Sequence, residues 1–163
     1  MPAVSNTSPV FNLACIGRLT LLHQQFGNVW IPRAVETELH QMPDATVRKT
    51  VHQAQQAGWL IVRRATDANL VSLLTVELHQ GEAEAIALAL DLKVQQLLID
   101  EKEGRAMARL LGVPVIGVLG VLLRGKTMGH VPAIKPEIEA LRSHARFFIA
   151  PDLEAAILAR ADE

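Results

Sequence analysis

Gly81-Glu82-Ala83-Glu84-Ala85-Ile86-Ala87-Leu88-Ala89-Leu90 and, a few residues on, Leu97-Leu98-Ile99-Asp100 are the runs whose reading decides the fold. The first has helical composition and opens on an acid; the second is an apolar strand that closes on one. A helix from Glu82 to Leu92 advances ~15 Å at ~1.5 Å per residue, and a strand from Gln95 to Asp100 returns ~16 Å at ~3.3 Å per residue. The two lengths cancel. A carboxylate at the helix start and another at the strand end therefore share one sheet edge, the edge where ligands sit in open parallel α/β folds.

Working outward from that unit, strand-like and helix-like runs alternate, which is the pattern of a parallel sheet covered by helices. Upstream, Ala3-Val4-Ser5, Val29-Trp30-Ile31 and Trp59 to Arg63 read as strands. Ser8-Pro9 reads as a cap and first turn of a helix running through Cys15, with Gly17 as its stop. Further helices are expected over Leu19 to Phe26, from Pro32 through Glu36, Glu38 and Leu39, over Thr46 to Ala57, and over Asp67 to Leu78. Downstream, a helix over Glu101 to Leu111 stops at Gly112. Val113 to Gly117 follows as a strand whose Pro114 places it at a strand start or sheet edge. Helices over Val118 to Met128 and from beyond Pro132 and Pro136 to about His144 come next. A strand over Arg146 to Ile149 and a terminal helix from Asp152 complete the reading.

The 163 residues, half of them apolar, suffice for one compact core, so residues 1–163 are read as a single domain. Few aromatics and no tyrosine suit helices on a small buried sheet better than a β-sandwich. Sixteen basic and seventeen acidic residues cancel. Nucleic-acid binding must then come from a local basic patch or bound metal ions, because no global positive field recruits phosphate. Cys15 is the only cysteine, which excludes an intrachain disulfide and a cysteine zinc site and fits a reducing cytoplasm. No charged-then-apolar leader and no apolar run near the ~20 residues of a membrane span are seen, so a soluble, unprocessed protein is expected.

Polar groups at strand ends and adjoining helix starts are Asn6-Thr7-Ser8, Glu38, Glu82 and Asp100. Three carboxylates and an amide of this kind are hard oxygen ligands that suit Mg²⁺ or Mn²⁺. Such ions orient a phosphodiester, activate water and stabilise a leaving oxygen, the physical core of metal-dependent nuclease chemistry.

The motifs Val4-Ser5-Asn6-Thr7-Ser8-Pro9, Ile31-Pro32-Arg33-Ala34-Val35 with Glu38, Gly81 to Ala87 and Leu98-Ile99-Asp100-Glu101 occur here in that order. Gly104-Arg105, Val113 to Gly117 and the tail from Phe147 to Leu158 continue the series. Together they resemble PIN-domain ribonucleases, in particular a short prokaryotic subgroup related to VapC-type toxins, over nearly the whole chain. The resemblance implies a three-layer α/β/α fold with a central, mainly parallel sheet and an acidic Mg²⁺ or Mn²⁺ site that cuts single-stranded RNA. Asn6, Glu38, Glu82 and Asp100 fall in its four acidic slots, the last three as metal ligands. It also suggests a homodimer and an antitoxin protein that covers the site. The family pattern carries aspartate where this chain has Asn6, and an amide lends an oxygen but no charge. A weakened or inactive nuclease follows, unless Glu101, Glu84 or Glu103 compensates.

Each candidate also has an ordinary structural role. Glu82 favours the positive end of its helix dipole, and Asp100 is placed to cap the helix beginning at Glu101. Glu38 lies among Glu36, His40 and Gln41 on a solvated face, and Thr7 and Ser8 suit a turn and cap. Lys102, Arg105 and Arg109 share one helix face behind Asp100, either guiding an RNA backbone or forming a solvated stripe. The histidines show no zinc-ligand spacing, and Trp30 and Trp59 read as core. A non-catalytic RNA-binding or partner-binding module is the competing function, favoured by Asn6. Receiver domains and dehalogenase-like phosphatases need acids after the first strand that Asn6-Thr7-Ser8 does not supply, and no glycine-rich nucleotide loop follows a strand.

Overall fold

Alternation of apolar side chains along short strands builds the molecule, which a computed structural model describes over residues 2–163. The strands are β1 (Ala3–Ser5), β2 (Val29–Ile31), β3 (Leu60–Val62), β4 (Leu97–Leu98) and β5 (Val115–Ile116). They form one sheet in the order β3-β2-β1-β4-β5. Every pairing is parallel. Period-two alternation sends Ala3, Val29, Ile31 and Leu98 into one core, while Val4, Leu97 and Ile99 enter a second core on the opposite face. Two apolar faces require two helical layers, which makes this the three-layer α/β/α arrangement expected from the sequence.

One layer consists of α5 (Ala68–Leu74), α6 (Gln80–Leu92) and α7 (Lys102–Leu110). The other face carries α1 (Thr7–Cys15), α2 (Thr20–Phe26), α3 (Arg33–His40) and α4 (Ala45–Gln56), followed by α8 (Val118–Thr127), α9 (Lys135–Ala145) and α10 (Pro151–Arg160). Helix α6 is buried almost all round, from Gly81 to Ala89. Its alternating alanines explain this, because small side chains let a helix sink between sheet and neighbours without a polar face. No helix among the described residues is long and apolar enough to cross a membrane.

Order and connectivity place the switch point of the sheet at β1. The chain runs outward from β1 to β2 and β3 on one side, then returns to start β4 and β5 on the other. The crevice beyond the carboxyl ends of β1 and β4 is therefore the place where side chains from both halves meet. Asn6 follows β1 and Asp100 follows β4 by two residues.

Several boundaries differ from the sequence reading. The β4 ladder extends past its two regular residues, since Val4 N–H donates to Gln96 O at 3.2 Å and Ile99 N–H to Ile116 O at 3.1 Å. That accounts for the longer strand expected over Gln95 to Asp100. β5 is an edge strand, as Pro114 suggested. Helix α5 stops at Leu74 and not Leu78, giving way to turns in which Thr75 Oγ1 donates to Ser72 O. The strand expected over Arg146 to Ile149 does not form. Its alternation is real, with Phe147 half-buried, Phe148 exposed and Ile149 buried, but no neighbouring strand offers it a ladder.

Candidate functional site

Asn6 is the N-cap of α1, so the sequence reading that put the cap at Ser8 is displaced by two residues. The displacement frees three consecutive side chains. Asn6 Nδ2 donates to Glu101 Oε2 at 3.0 Å, Thr7 Oγ1 donates to Glu38 Oε2 at 2.7 Å, and Ser8 Oγ donates to Glu101 Oε1. One turn further along α1, Asn12 Nδ2 reaches Asp100 Oδ2 at 3.5 Å. The start of α1 thus touches three carboxylates from two other segments, Glu38 on α3 and the adjacent Asp100 and Glu101 between β4 and α7.

All four expected residues, Asn6, Glu38, Glu82 and Asp100, line one cleft of about 830 Å³, together with Glu101. Glu82 sits in the first turn of α6, where its Oε1 accepts the His79 N–H at 3.2 Å. The dipole role and the cleft position are therefore compatible. Burial pushes the Glu82 carboxyl above its usual range; the His79 bond opposes this, while the charges of Glu101 and Glu103 add to it. Asp100 does not cap the helix that follows it. Its Oδ1 accepts the Val118 N–H at 2.9 Å, at the start of α8, so it caps a helix from the far side of β5. Burial raises the Asp100 carboxyl from 3.8 to about 6, against the lowering effect of the Val118 bond; Glu101 raises it further, and Arg105 and Asn12 lower it.

Glycines make room for these acids. A Cβ on Gly81 would lie 2.6 Å from Glu38 Oε1, one on Gly104 2.8 Å from Glu82 Oε2, and one on Gly117 2.8 Å from Asp100 Oδ1. Each carboxylate rests against a residue with no side chain, a relation the sequence does not announce because the partners are distant in the chain.

The other charged candidates lie elsewhere. Glu84 turns away, accepting from Ala34 N–H and Gln80 Nε2 and bordering a separate pocket with Arg33 and Arg64. Glu103 is exposed on α7. Of the supposed compensating acids, only Glu101 enters the cleft. Lys102, Arg105 and Arg109 do not line it. Arg105 folds back so that its Nη1 donates to Ile99 O at 2.9 Å, whereas Lys102 and Arg109 are exposed. The cation that does line the cleft is Arg146, with Phe147 and Phe148 beside it. Asn12 and this segment were missed by sequence reasoning. Asn12 was detectable from its i, i+4 spacing to Ser8 on α1, which puts both on one face.

Whether these donors suit a divalent ion is decided by their chemistry and number. Every candidate is a hard oxygen donor; burial raises Glu82 and Asp100 most, and the charge of Glu101 raises each further. Among the described residues, no three His, Cys, Asp or Glu side chains converge closely enough to hold an ion by themselves. Mg²⁺ bound through one or two carboxylates, with waters in the remaining positions, asks for fewer side chains than a closed cage.

No curated protein matches the sequence. Among solved structures, a PilT N-terminus domain protein from the hyperthermophilic archaeon Sulfolobus solfataricus P2 is 22% identical, with a TM-score of 0.49, over 75% of this chain and 91% of that one. The family described as PIN domain (DUF3368) matches residues 2–163. With that match spanning essentially the whole sequence, the chain belongs to the PIN domain family, whose fold is generally a nuclease fold.

Proposed function

We propose that this protein is a Mg²⁺- or Mn²⁺-dependent endoribonuclease that cleaves RNA phosphodiester bonds. The single observation carrying the reading is the convergence of Glu38, Glu82, Asp100 and Glu101 on one cleft at the switch point of a parallel sheet. A further role as the toxin half of a cytoplasmic toxin–antitoxin pair, working as a homodimer with an antitoxin over the site, rests on the resemblance to VapC-like proteins alone.

Hydrolysis adds water across one P–O bond, leaving a phosphate monoester on one fragment and a hydroxyl on the other. A divalent ion, when bound, supplies the Lewis acidity that activates water and stabilises the leaving oxygen. Glu82, which is buried, and Asp100, which is half-buried, both line the cleft and are the residues that would hold it. Thr7 orients Glu38, and Asn6 with Ser8 orients Glu101. Asn6 contributes a donor and no charge. Helix α8 fixes Asp100 through the Val118 N–H, which keeps one of its oxygens directed and leaves the other toward Asn12.

A second reading is a PIN-fold RNA-binding or partner-binding module without catalysis. Asn6 favours it, because the neutral amide in the first acidic slot is already engaged with Glu101. A metal-dependent RNA cleavage assay on the unaltered chain, Asn6→Asp and Asp100→Ala separates the two. Cleavage by the unaltered chain that Asp100→Ala abolishes supports the nuclease. Strong cleavage appearing only in Asn6→Asp identifies a disabled nuclease. Inactivity of all three with retained RNA binding establishes the module.

A further inference from the structure

The chain has only six phenylalanine and tryptophan residues and no tyrosine, yet three of them, Phe11, Phe147 and Phe148, line the carboxylate cleft. Phe148 is 83% exposed. A large apolar ring left in water beside a polar cleft has no use in the core, and its two neighbours are differently employed. Phe147 packs partly against the main core, and its N–H donates to Leu141 O at 3.1 Å, so the segment is pinned to α9. Arg146 stands in the left-handed region, φ 52°, as the C-cap of α9. Glycine or asparagine fills such a position at lower cost. Arg146 is exposed, lines the cleft and takes part in none of the ion pairs among the described residues.

A free cation and a free aromatic face, two residues apart on a pinned segment, match the two halves of an unpaired nucleotide. Aromatic rings stack on any base, and arginine neutralises the neighbouring phosphate. A duplex offers no unstacked base to such a ring. Resting on the nuclease reading for the identity of the cleft, we propose that Phe148 stacks an unpaired nucleobase and Arg146 contacts its phosphate, forming a single-strand RNA subsite beside the acids. Phe148 also borders an apolar groove with Leu119, Leu123 and Leu153, so a protein partner is the rival occupant that the experiment must exclude.

The test uses the full chain, Ca²⁺ in place of Mg²⁺, and a fluorescently labelled eight-nucleotide single-stranded RNA read by anisotropy. Phe148→Leu, which keeps apolarity and loses the ring, is expected to weaken binding about 5- to 150-fold, whereas Phe148→Trp retains it. Replacing one nucleotide with an abasic one should cost the unaltered chain affinity at a single position and cost Phe148→Leu nothing there. Arg146→Gln should reduce the slope of log affinity against log salt by about 0.7. Equal binding by Phe148→Leu and the unaltered chain, or no RNA binding at all, overturns the subsite. Unchanged RNA affinity with a dimer lost in light scattering also overturns it, in favour of a protein contact. The nuclease reading fails separately: cleavage in Mg²⁺ abolished by Asp100→Ala but untouched by Phe148→Leu sinks only the subsite. Ring-dependent RNA binding without cleavage sinks only the nuclease.

Discussion

Replacing Asp100 with asparagine is expected to make the metal-free protein more stable while removing its response to divalent ions. Burial raises the Asp100 carboxyl from 3.8 to about 6. At about 1.4 kcal/mol per pH unit, holding that carboxylate ionised in the folded state costs about 3 kcal/mol relative to the unfolded chain. The sign follows from proton counts. Between these two values the folded state binds more protons than the unfolded one, so stability falls as pH rises through the window, and the full penalty stands above it. Asparagine is neutral throughout. Its Oδ1 keeps the Val118 N–H, but its amide meets the Asn12 amide, which must turn, and Arg105 loses a facing charge. The expected net gain is about 1 to 3 kcal/mol at pH 7 in chelator, a rise in Tm of roughly 2 to 12 °C for a chain of this size. The gain should vanish near pH 4. Urea melts from pH 4 to 8 in EDTA, repeated with increasing Mg²⁺, measure both halves, because an ion that binds only the folded state stabilises it by about 2.7 kcal/mol at one hundred times its Kd. A substituted protein less stable than the parent at pH 7 in EDTA, or a difference that ignores pH, refutes the argument that Asp100 is held ionised against its burial.

Other perturbations address separate parts of the same cleft. Asn6→Asp puts a second carboxylate where an amide now sits 3.0 Å from Glu101 Oε2, so a loss of about 1 to 3 kcal/mol in EDTA and tighter Mn²⁺ binding by calorimetry are expected. Gly117→Ala, at φ −101°, carries no backbone strain but sets a methyl 2.8 Å from Asp100 Oδ1, and should cut metal-dependent cleavage tenfold or more, roughly, with little change in melting. Gly112→Ala is the converse: at φ 78° with open space around it, it should cost about 1 kcal/mol of stability and leave cleavage alone. Glu163 accepts from the Ile134 and Lys135 N–H groups and from Lys126 Nζ, which hold its carboxyl down to about 2. Glu163→Gln should therefore lower Tm above the ordinary carboxylate range. That deficit should shrink as pH falls through 4.5 toward about 2, because the parent then loses the same interaction.

The sheet and the acids were legible for the same reason: both follow from local pattern plus chain length. β1, β2 and β3 lie where alternation and β-branched residues put them, and the out-and-back distance from Glu82 to Asp100 survives a two-residue error in the helix start, because the edge they share is far wider than that error. What sequence could not supply was partner choice. Asp100 followed by Glu101 suggests a local cap, yet the N–H it accepts belongs to Val118, which only the β4–β5 pairing brings near. The Arg146 to Ile149 run shows the complementary failure. Its alternation reports a segment with one buried side, but a strand also needs a ladder partner, and the backbone bond this segment makes, from Phe147 N–H to Leu141 O, goes to α9 and not to a strand.

The exchange at Asn6 changes how the charge of the cleft should be counted. Treated slot by slot, the first acid is missing. Treated as a cluster, the donor at position 6 and the hydroxyl of Ser8 hold the Glu101 carboxylate in place, and a carboxylate at position 6 would repel it. Two like charges held there repel each other, which is the loss of about 1 to 3 kcal/mol expected of Asn6→Asp before any ion arrives. An amide there removes that cost and keeps one anionic group at the mouth of the crevice. The negative charge facing Asn6 is carried by Glu101 at the start of α7, and the residue after β1 carries none. Nuclease chemistry needs the charge near the ion and does not specify which strand delivers it, so Glu101→Gln should cost more metal affinity than Asn6→Ala. The opposite ranking by Mn²⁺ calorimetry would show that Asn6 acts through its own oxygen.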